Sequence, residues 1–586
     1  MQFPSLIACR TIFWHLRSGV VSRATSLLLA AAFGSAFLTG CASLPTEVDR
    51  PISYALQSPQ STNLGQLVEI HARAANARSD SGFRLLSGTE AAYTSRLALI
   101  DAAQKTLDLQ YYAIHVDRTT DEIVVRLRAA AARGVRVRIL LDDFNTTGAN
   151  AQFLRLAFEH NIELRLFNPL PGSRSSLFGR ILGSLGNVDL IQRRMHNKLF
   201  IADNVVGITG GRNLGDSYFG QNSDSNFVDL DILAAGRIVL DMSKSFDAYW
   251  NNPLAYPVES LMTQAQLDAI RPAPPKGETP STALAPPQEL TSTAPAVPAP
   301  QPKIAPAGAL ATTPTPSLLD FEATRLVWAQ SVLLADKATK IEADEESDDT
   351  VVDGLLQLMA QTRQDLFIVS PYFVPGEAMM AMFNKLRSSN VRVRVLTNSL
   401  ASNDAPLAHV GYARYRKRLL EAGVELYEMR TEQDGGRSAF GSGSIGSSSS
   451  TRAPSSASND QAASPAGSSG SGSLVPGSRA SLHAKTLVID GRLIVVGSMN
   501  LDLRSQLQNS EVALLIRSRQ LSQRAVALIE PTLTSGAYRL SLDNGQIVWH
   551  PPAGTNMADL HSEPDASPSL QFMLKLIGPF APEEML

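Results

Sequence analysis

Thr106-Leu107-Asp108-Leu109-Gln110-Tyr111-Tyr112, a helical pattern over residues 123–132, and Val135-Arg136-Val137-Arg138-Ile139-Leu140 form one succession of elements. It returns later as Asp365-Leu366-Phe367-Ile368-Val369, a helical pattern over 378–386, and Val391-Arg392-Val393-Arg394-Val395-Leu396. β-Branched residues alternating with arginine suit strands, and the strand, helix, strand spacing implies parallel neighbours covered by helices. Each half then runs through a further helix to Ile162-Glu163-Leu164 or Val424-Glu425-Leu426. A repeated order of elements is the mark of duplication. The reading is therefore α/β, with two tandem α/β/α sandwich domains related by pseudo-two-fold symmetry. Equivalent strand ends of the two halves should meet at that axis.

A histidine motif comes next in each half. The first copy is His196-Asn197-Lys198-Leu199-Phe200-Ile201-Ala202-Asp203 and the second is His483-Ala484-Lys485-Thr486-Leu487-Val488-Ile489-Asp490. Both lead to a glycine turn with asparagine, Gly210-Gly211-Arg212-Asn213 and Gly497-Ser498-Met499-Asn500, and histidine to asparagine is 17 residues in each. On a strand, residues i and i+2 share a face, so His196 and Lys198 project together, as do His483 and Lys485. Asp203-Asn204 and Asp490-Gly491 are hairpin dipeptides that should fold each motif strand back on the apolar run after it, which gives each Asp a structural part. Two imidazoles and two ammonium groups then converge on one site. One imidazole can attack phosphorus and the other can move a proton, while the lysines hold phosphate oxygens, and no metal or other cofactor is called for.

These motifs resemble the phospholipase D superfamily, whose signature is HxKxxxxD with a downstream Gly/Ser-x-Asn, from about residue 85 to residue 550. The resemblance implies catalytic His196, Lys198, Asp203, His483, Lys485 and Asp490, with phosphate bound also by Asn213, Ser498 and Asn500. It implies His196 as nucleophile and His483 as acid/base, the reverse order staying open. It also implies a carboxylate that orients each histidine. Glu511 takes that place in the second half, and Asp229 or Asp231 in the first, with Asp231 the better match to Glu511. Gly211 stands where the second copy has Ser498, so the halves should contribute unequally. Gly210-Gly211-Arg212-Asn213-Leu214-Gly215-Asp216-Ser217-Tyr218-Phe219, Leu141-Asp142-Asp143 and Ser370-Pro371-Tyr372-Phe373-Val374-Pro375-Gly376 are most similar to bacterial cardiolipin synthases of the ClsC type. Such enzymes transfer a phosphatidyl group between phospholipids such as phosphatidylethanolamine and phosphatidylglycerol. The alternatives are hydrolysis of head groups and a nuclease-like phosphodiesterase. Tyr372, His409 and Tyr412 are read as packing residues.

The remaining sequence fits a lipid-facing enzyme. At 586 residues with 44% apolar composition the chain exceeds one core, and its net charge of -3 offers no general basic field for nucleic acid. Its two cysteines, Cys9 and Cys41, leave no thiol in the body. Arg10, Arg17 and Arg23, an apolar run and Leu38-Thr39-Gly40-Cys41 read as a signal peptide with a lipobox over residues 1–41. Acylated Cys41 would anchor the protein to a membrane of the bacterial envelope, on its periplasmic side. The expected organisation is then a leader at 42–84, a first domain at 85–271, a Pro/Ala/Thr-rich linker at 272–316, and a second domain at 317–586. A Ser/Gly-rich insertion at 434–480 interrupts the second domain.

Overall fold

The computed structural model describes residues 44–172, 174, 180, 188–222, 225–269, 319–342, 350–431 and 479–577. The chain divides into a compact unit Met1–Leu44 and another Pro45–Leu586, and the fold described here is that of the second. The signal peptide with Cys41, the linker at 272–316 and nearly all of the insertion at 434–480 lie outside the described residues.

The strands of the first half are β1 (Ser81–Leu86), β2 (Thr106–Tyr111), β3 (Arg136–Asp142), β4 (Ile162–Phe167), β5 (Leu199–Ala202), β6 (Val206–Gly210), β7 (Ser225–Val228), β8 (Asp231–Gly236) and β9 (Ala255–Pro257). After the linker come β10 (Val327–Trp328), β11 (Gln330–Ala335), β12 (Asp365–Val369), β13 (Arg392–Asn398), β14 (Glu425–Met429) and β15 (Arg479–Leu482). The chain finishes its sheets with β16 (Thr486–Ile489), β17 (Leu493–Gly497), β18 (Val512–Arg517), β19 (Ala537–Asp543) and β20 (Gln546–His550). Two nine-stranded sheets result, ordered β10-β1-β8-β6-β5-β2-β3-β4-β9 and β11-β18-β17-β16-β12-β13-β14-β19-β20. From the second position of the first sheet and the first of the second, equivalent strands follow one another in the same order, so the duplication read from the sequence is a duplication of topology. Within each sheet the expected parallel trio is present, β2-β3-β4 and β12-β13-β14. The motif strands β5 and β16 turn back antiparallel into β6 and β17. The turn residues Asp203, Asn204, Asp490 and Gly491 all have φ between 50° and 58°, as a two-residue hairpin requires.

Three apolar clusters fill the layers, one outside each sheet and a third between the halves. The central cluster joins Leu199, Val228 and Ile232 of the first half to Ala484, Val488 and Val512 of the second. Helices Arg237–Trp250 and Arg519–Ser535 line it with Phe246, Trp250, Leu521 and Ile529. A continuous core across the seam holds the two halves in one register, and the site depends on that register.

Two boundaries differ from expectation. The leader does not stand apart, because Asp247 accepts the N–H of Ala55 (2.9 Å), Arg138 Nη1 donates to the Ser53 carbonyl (3.0 Å) and β1 begins at Ser81. Past the linker, β10 joins the first sheet through Gly82 opposite Trp328 before β11 opens the second. Arg138 itself, an alternating strand residue, is fully buried between Asp108 and Asp247. An arginine so enclosed persists because both charges are met by hydrogen-bonded partners.

Candidate functional site

Each histidine is fastened to the opposite half by its own backbone. Met195 pairs with Ser510 in an isolated parallel bridge, in which His196 N–H donates to the Ser510 carbonyl (2.9 Å) and Ser510 N–H to that of Arg194 (3.0 Å). At the symmetric place β15 runs parallel to β7 with Leu482 opposite Val228, and His483 N–H donates to the Val228 carbonyl (2.8 Å). The residues just after Ser510 and Val228 are Glu511 and Asp229, so each carboxylate arrives beside the histidine of the other half.

The side chains close these pairs. His196 Nδ1 lies 3.0 Å from the Glu511 carboxylate, and His483 Nδ1 lies 2.8 Å from Asp229 Oδ2. All four residues are buried. A carboxylate on Nδ1 fixes the tautomer and leaves Nε2 as the reactive nitrogen. Lys198 Nζ donates to the His196 carbonyl (2.8 Å) and Lys485 Nζ to the His483 carbonyl (2.5 Å), so each ammonium is folded against its own histidine. Asp142 Oδ2 accepts Met195 N–H and Asn398 Oδ1 accepts Leu482 N–H, both at 2.8 Å. These equivalent residues at the ends of β3 and β13 hold the segments that carry the histidines. Tyr112 packs edge-on against His196, while Tyr218 and Phe227 flank His483 with ring centroids 5.4 and 4.9 Å away.

Several expected roles move. Asp231 does not reach a histidine: Arg96 Nη2 donates to its Oδ2 at 2.9 Å, with Arg212 3.5 Å away. Register explains the exchange, since Gly210 lies opposite Asp231 whereas Gly497 lies opposite Ala513, which makes Asp229 the counterpart of Glu511. Asp203 and Asp490, expected to be catalytic, sit in the hairpin turns at the far ends of the motif strands. Asp203 accepts the N–H groups of Gln104, Lys105 and Thr106, and Asp490 those of Arg363, Gln364 and Asp365. Their work is to tie β5 to β2 and β16 to β12.

Ser498, expected to bind phosphate, donates its hydroxyl to Glu511 (2.5 Å) and accepts Val512 N–H (3.0 Å). Gly211 answers to it in the first half, and there a Cβ would stand 2.5 Å from Asp229 Oδ2. The unequal turns therefore accommodate unequal carboxylates. Asn213 donates to Tyr218 Oη (2.9 Å) and accepts Ala113 N–H (3.3 Å), while Asn500 is buried with Oδ1 unpartnered. Tyr412 is buried against Phe373, and His409 is buried in a polar group with Arg416 and Glu563. Tyr372, by contrast, carries Lys485 Nζ 6.0 Å over its ring and donates to Asp404 (2.8 Å).

Burial and crowded cations set the charges. Burial, then Lys198, Lys485 and Arg504, holds His196 well below its usual value, and burial with Lys485 lowers His483 to about 4. Glu511 is pushed up to about 7 by burial. Burial opposes the charge of Asp229 as well, but its bond to His483 and the nearby Arg212 and Lys485 hold it below the ordinary carboxylate range. Lys198 falls to about 7 and Lys485 to about 8, first through burial. Mutual repulsion and burial hold these cations short of full charge, and a bound anion such as a phosphodiester would relieve both.

These cations make binding sensitive to pH. If Lys198 and Lys485 hold the phosphate, they lose their protons as pH rises through about 7 and 8, so KM should be flat below that range and climb above it. The slope should reach up to about tenfold per pH unit for each lysine required. Steady-state KM measured against pH checks this, and a KM independent of pH up to about 9 would contradict it.

The family described as cardiolipin synthase, PLD-like domain, matches residues 97–250, 355–440 and 450–531. Cardiolipin synthase C of Escherichia coli K12 is 35% identical over 83% of this chain and 92% of its own. An uncharacterised protein of Helicobacter pylori J99 is 29% identical over 92% of this chain and 95% of its own. In fold, a phosphatidylserine synthase from Haemophilus influenzae superposes with a TM-score of 0.50 at 12% identity, over 89% of this chain and 100% of its own. With its two histidine motifs joined at one seam, the chain belongs to the phospholipase D-like cardiolipin synthase family.

Proposed function

We propose that the protein transfers a phosphatidyl group between phospholipids through a phosphohistidine, forming cardiolipin. The observation that carries this reading is the crossed pairing of His196 with Glu511 and His483 with Asp229, which makes one site from both motifs. His196, held neutral, attacks phosphorus through Nε2, forming the N–P bond as the head-group P–O bond breaks. Binding of the anionic phosphodiester beside ionised Asp229 favours the imidazolium of His483, which takes up a proton from solvent and gives it through Nε2 to the departing oxygen. His483 then takes the proton of the incoming hydroxyl, whose oxygen displaces His196 and completes the transfer. Lys198 and Lys485 bind the non-bridging oxygens, joined by Asn213 and Asn500.

Membrane tethering through acylated Cys41 belongs to the same proposal, because lipid substrates are then met at the surface where they reside. Among the described residues no helix is long and apolar enough to cross a membrane. The full chain in vesicles of phosphatidylethanolamine and phosphatidylglycerol should yield cardiolipin by mass spectrometry. Phosphatidic acid alone would mark hydrolysis instead, and DNA cleavage without lipid turnover would overturn the lipid reading.

A further inference from the structure

The cations around His196 are not all committed. Lys198 and Lys485 each donate to a histidine carbonyl, but the half-buried Arg504 makes no hydrogen bond or ion pair through its guanidinium among the described residues. Its backbone is well held. The short helix Leu503–Leu507 is capped by Asp502, and the adjoining Ser505 donates its hydroxyl to Glu511 at 2.9 Å. Arg504 is therefore one residue from a direct contact with the partner of His196. Its charge is felt at His196, Tyr112 and the buried Asp502, more weakly at His196 than that of either lysine, as expected of a group on the rim.

At the equivalent position the first half carries no cation. Ser217 follows His196 at the same separation in sequence as Arg504 follows His483. On the His483 side the rim carries a carboxylate, the exposed Asp404 bonded to Tyr372, and its charge reaches His483 and Lys485. One rim thus attracts an anion and the other repels it. The reacting phosphate is already provided for by two lysines and two asparagines.

We propose that Arg504 binds a second phosphate, that of a phospholipid acceptor whose free hydroxyl attacks the phosphohistidine. Planar guanidinium suits this, since it meets a phosphate with two parallel hydrogen bonds and is always charged. The proposal rests on phosphatidyl transfer as the reaction, and it makes Arg504 the residue that favours an anionic lipid acceptor over a plain alcohol.

Two acceptors separate a second phosphate from the reacting one. With phosphatidylethanolamine vesicles as donor, labelled phosphatidylglycerol gives cardiolipin, whereas free glycerol gives new phosphatidylglycerol. Arg504→Gln should lower the ratio of the first product to the second by about tenfold or more, and Arg504→Lys should restore part of it. A ratio is independent of how much enzyme is folded. An unchanged ratio, with or without a fall in both products, overturns the proposal and places Arg504 on the reacting phosphate or outside the reaction. Wild-type protein that transfers to neither acceptor would instead defeat the phosphatidyl-transfer reading itself and this inference with it.

Discussion

Replacing His196 or His483 with alanine should each abolish turnover, by a factor on the order of 10⁵, and the double variant should lose little more than either single one. Both residues act on one phosphorus, so removing either breaks the same sequence of steps. The ring of each is anchored by a carboxylate from the other half, and no further histidine lies in either motif to substitute. A good leaving group separates the roles. A p-nitrophenyl phosphodiester needs no protonation on departure, so His483→Ala should still release a burst of nitrophenolate and retain label as phosphohistidine, while His196→Ala should do neither. The opposite pattern would exchange the two roles, and full activity in either single variant would refute a shared site.

The convergence of the two motifs was legible because its signals are local and repeated. Strand periodicity, the hairpin dipeptides and the equal spacing from histidine to asparagine all lie within a few turns of chain, and each occurs twice. Which carboxylate serves which histidine was not legible. Asp229 and Asp231 are two residues apart, so on a continuous strand they would share a face, and alternation cannot choose between them. The choice is made by Gly210 standing opposite Asp231 and by the four-residue pairing of β7 with β15, contacts between distant segments too short to leave a periodic trace.

The terminal aspartates admit two readings, catalytic by resemblance and structural from their hairpin dipeptides, for a related reason. Seven residues from its histidine, an aspartate is near in sequence but at the far end of a strand in space, where φ of about 50° and three backbone N–H groups account for it. Asp142 and Asn398 show the converse. They do the same work on the two histidine segments, yet one is an acid and the other an amide, so comparing the halves residue by residue gives no match.

Crossed pairing makes the two carboxylates unequal, and their amide variants should differ accordingly. Asp229→Asn removes a charge that the fold keeps ionised beside His483. An amide in place of a triad carboxylate lowers kcat by up to about 10⁴ because the imidazolium loses its counter-charge and the tautomer is no longer fixed. Here the loss should be on the order of 10²–10⁴, larger for lipid head groups, which leave as alkoxides, than for p-nitrophenolate. Glu511→Gln should cost less near neutral pH, because burial already brings Glu511 to about 7 and much of its charge is absent before the substitution. Its two hydroxyl donors, Ser498 on Oε2 and Ser505 on Oε1, lose one acceptor between them, and the hydroxyl left facing the amide N–H can turn to accept from it. Asp231→Asn should part from both. It leaves Arg96 buried and short of its charge partner, a change worth about 3–5 kcal/mol of stability, while the chemistry per folded molecule is kept. Thermal unfolding and kcat measured side by side distinguish the three. A kcat loss in Asp231→Asn as deep as in Asp229→Asn would mean that the histidine partners had been assigned to the wrong acid.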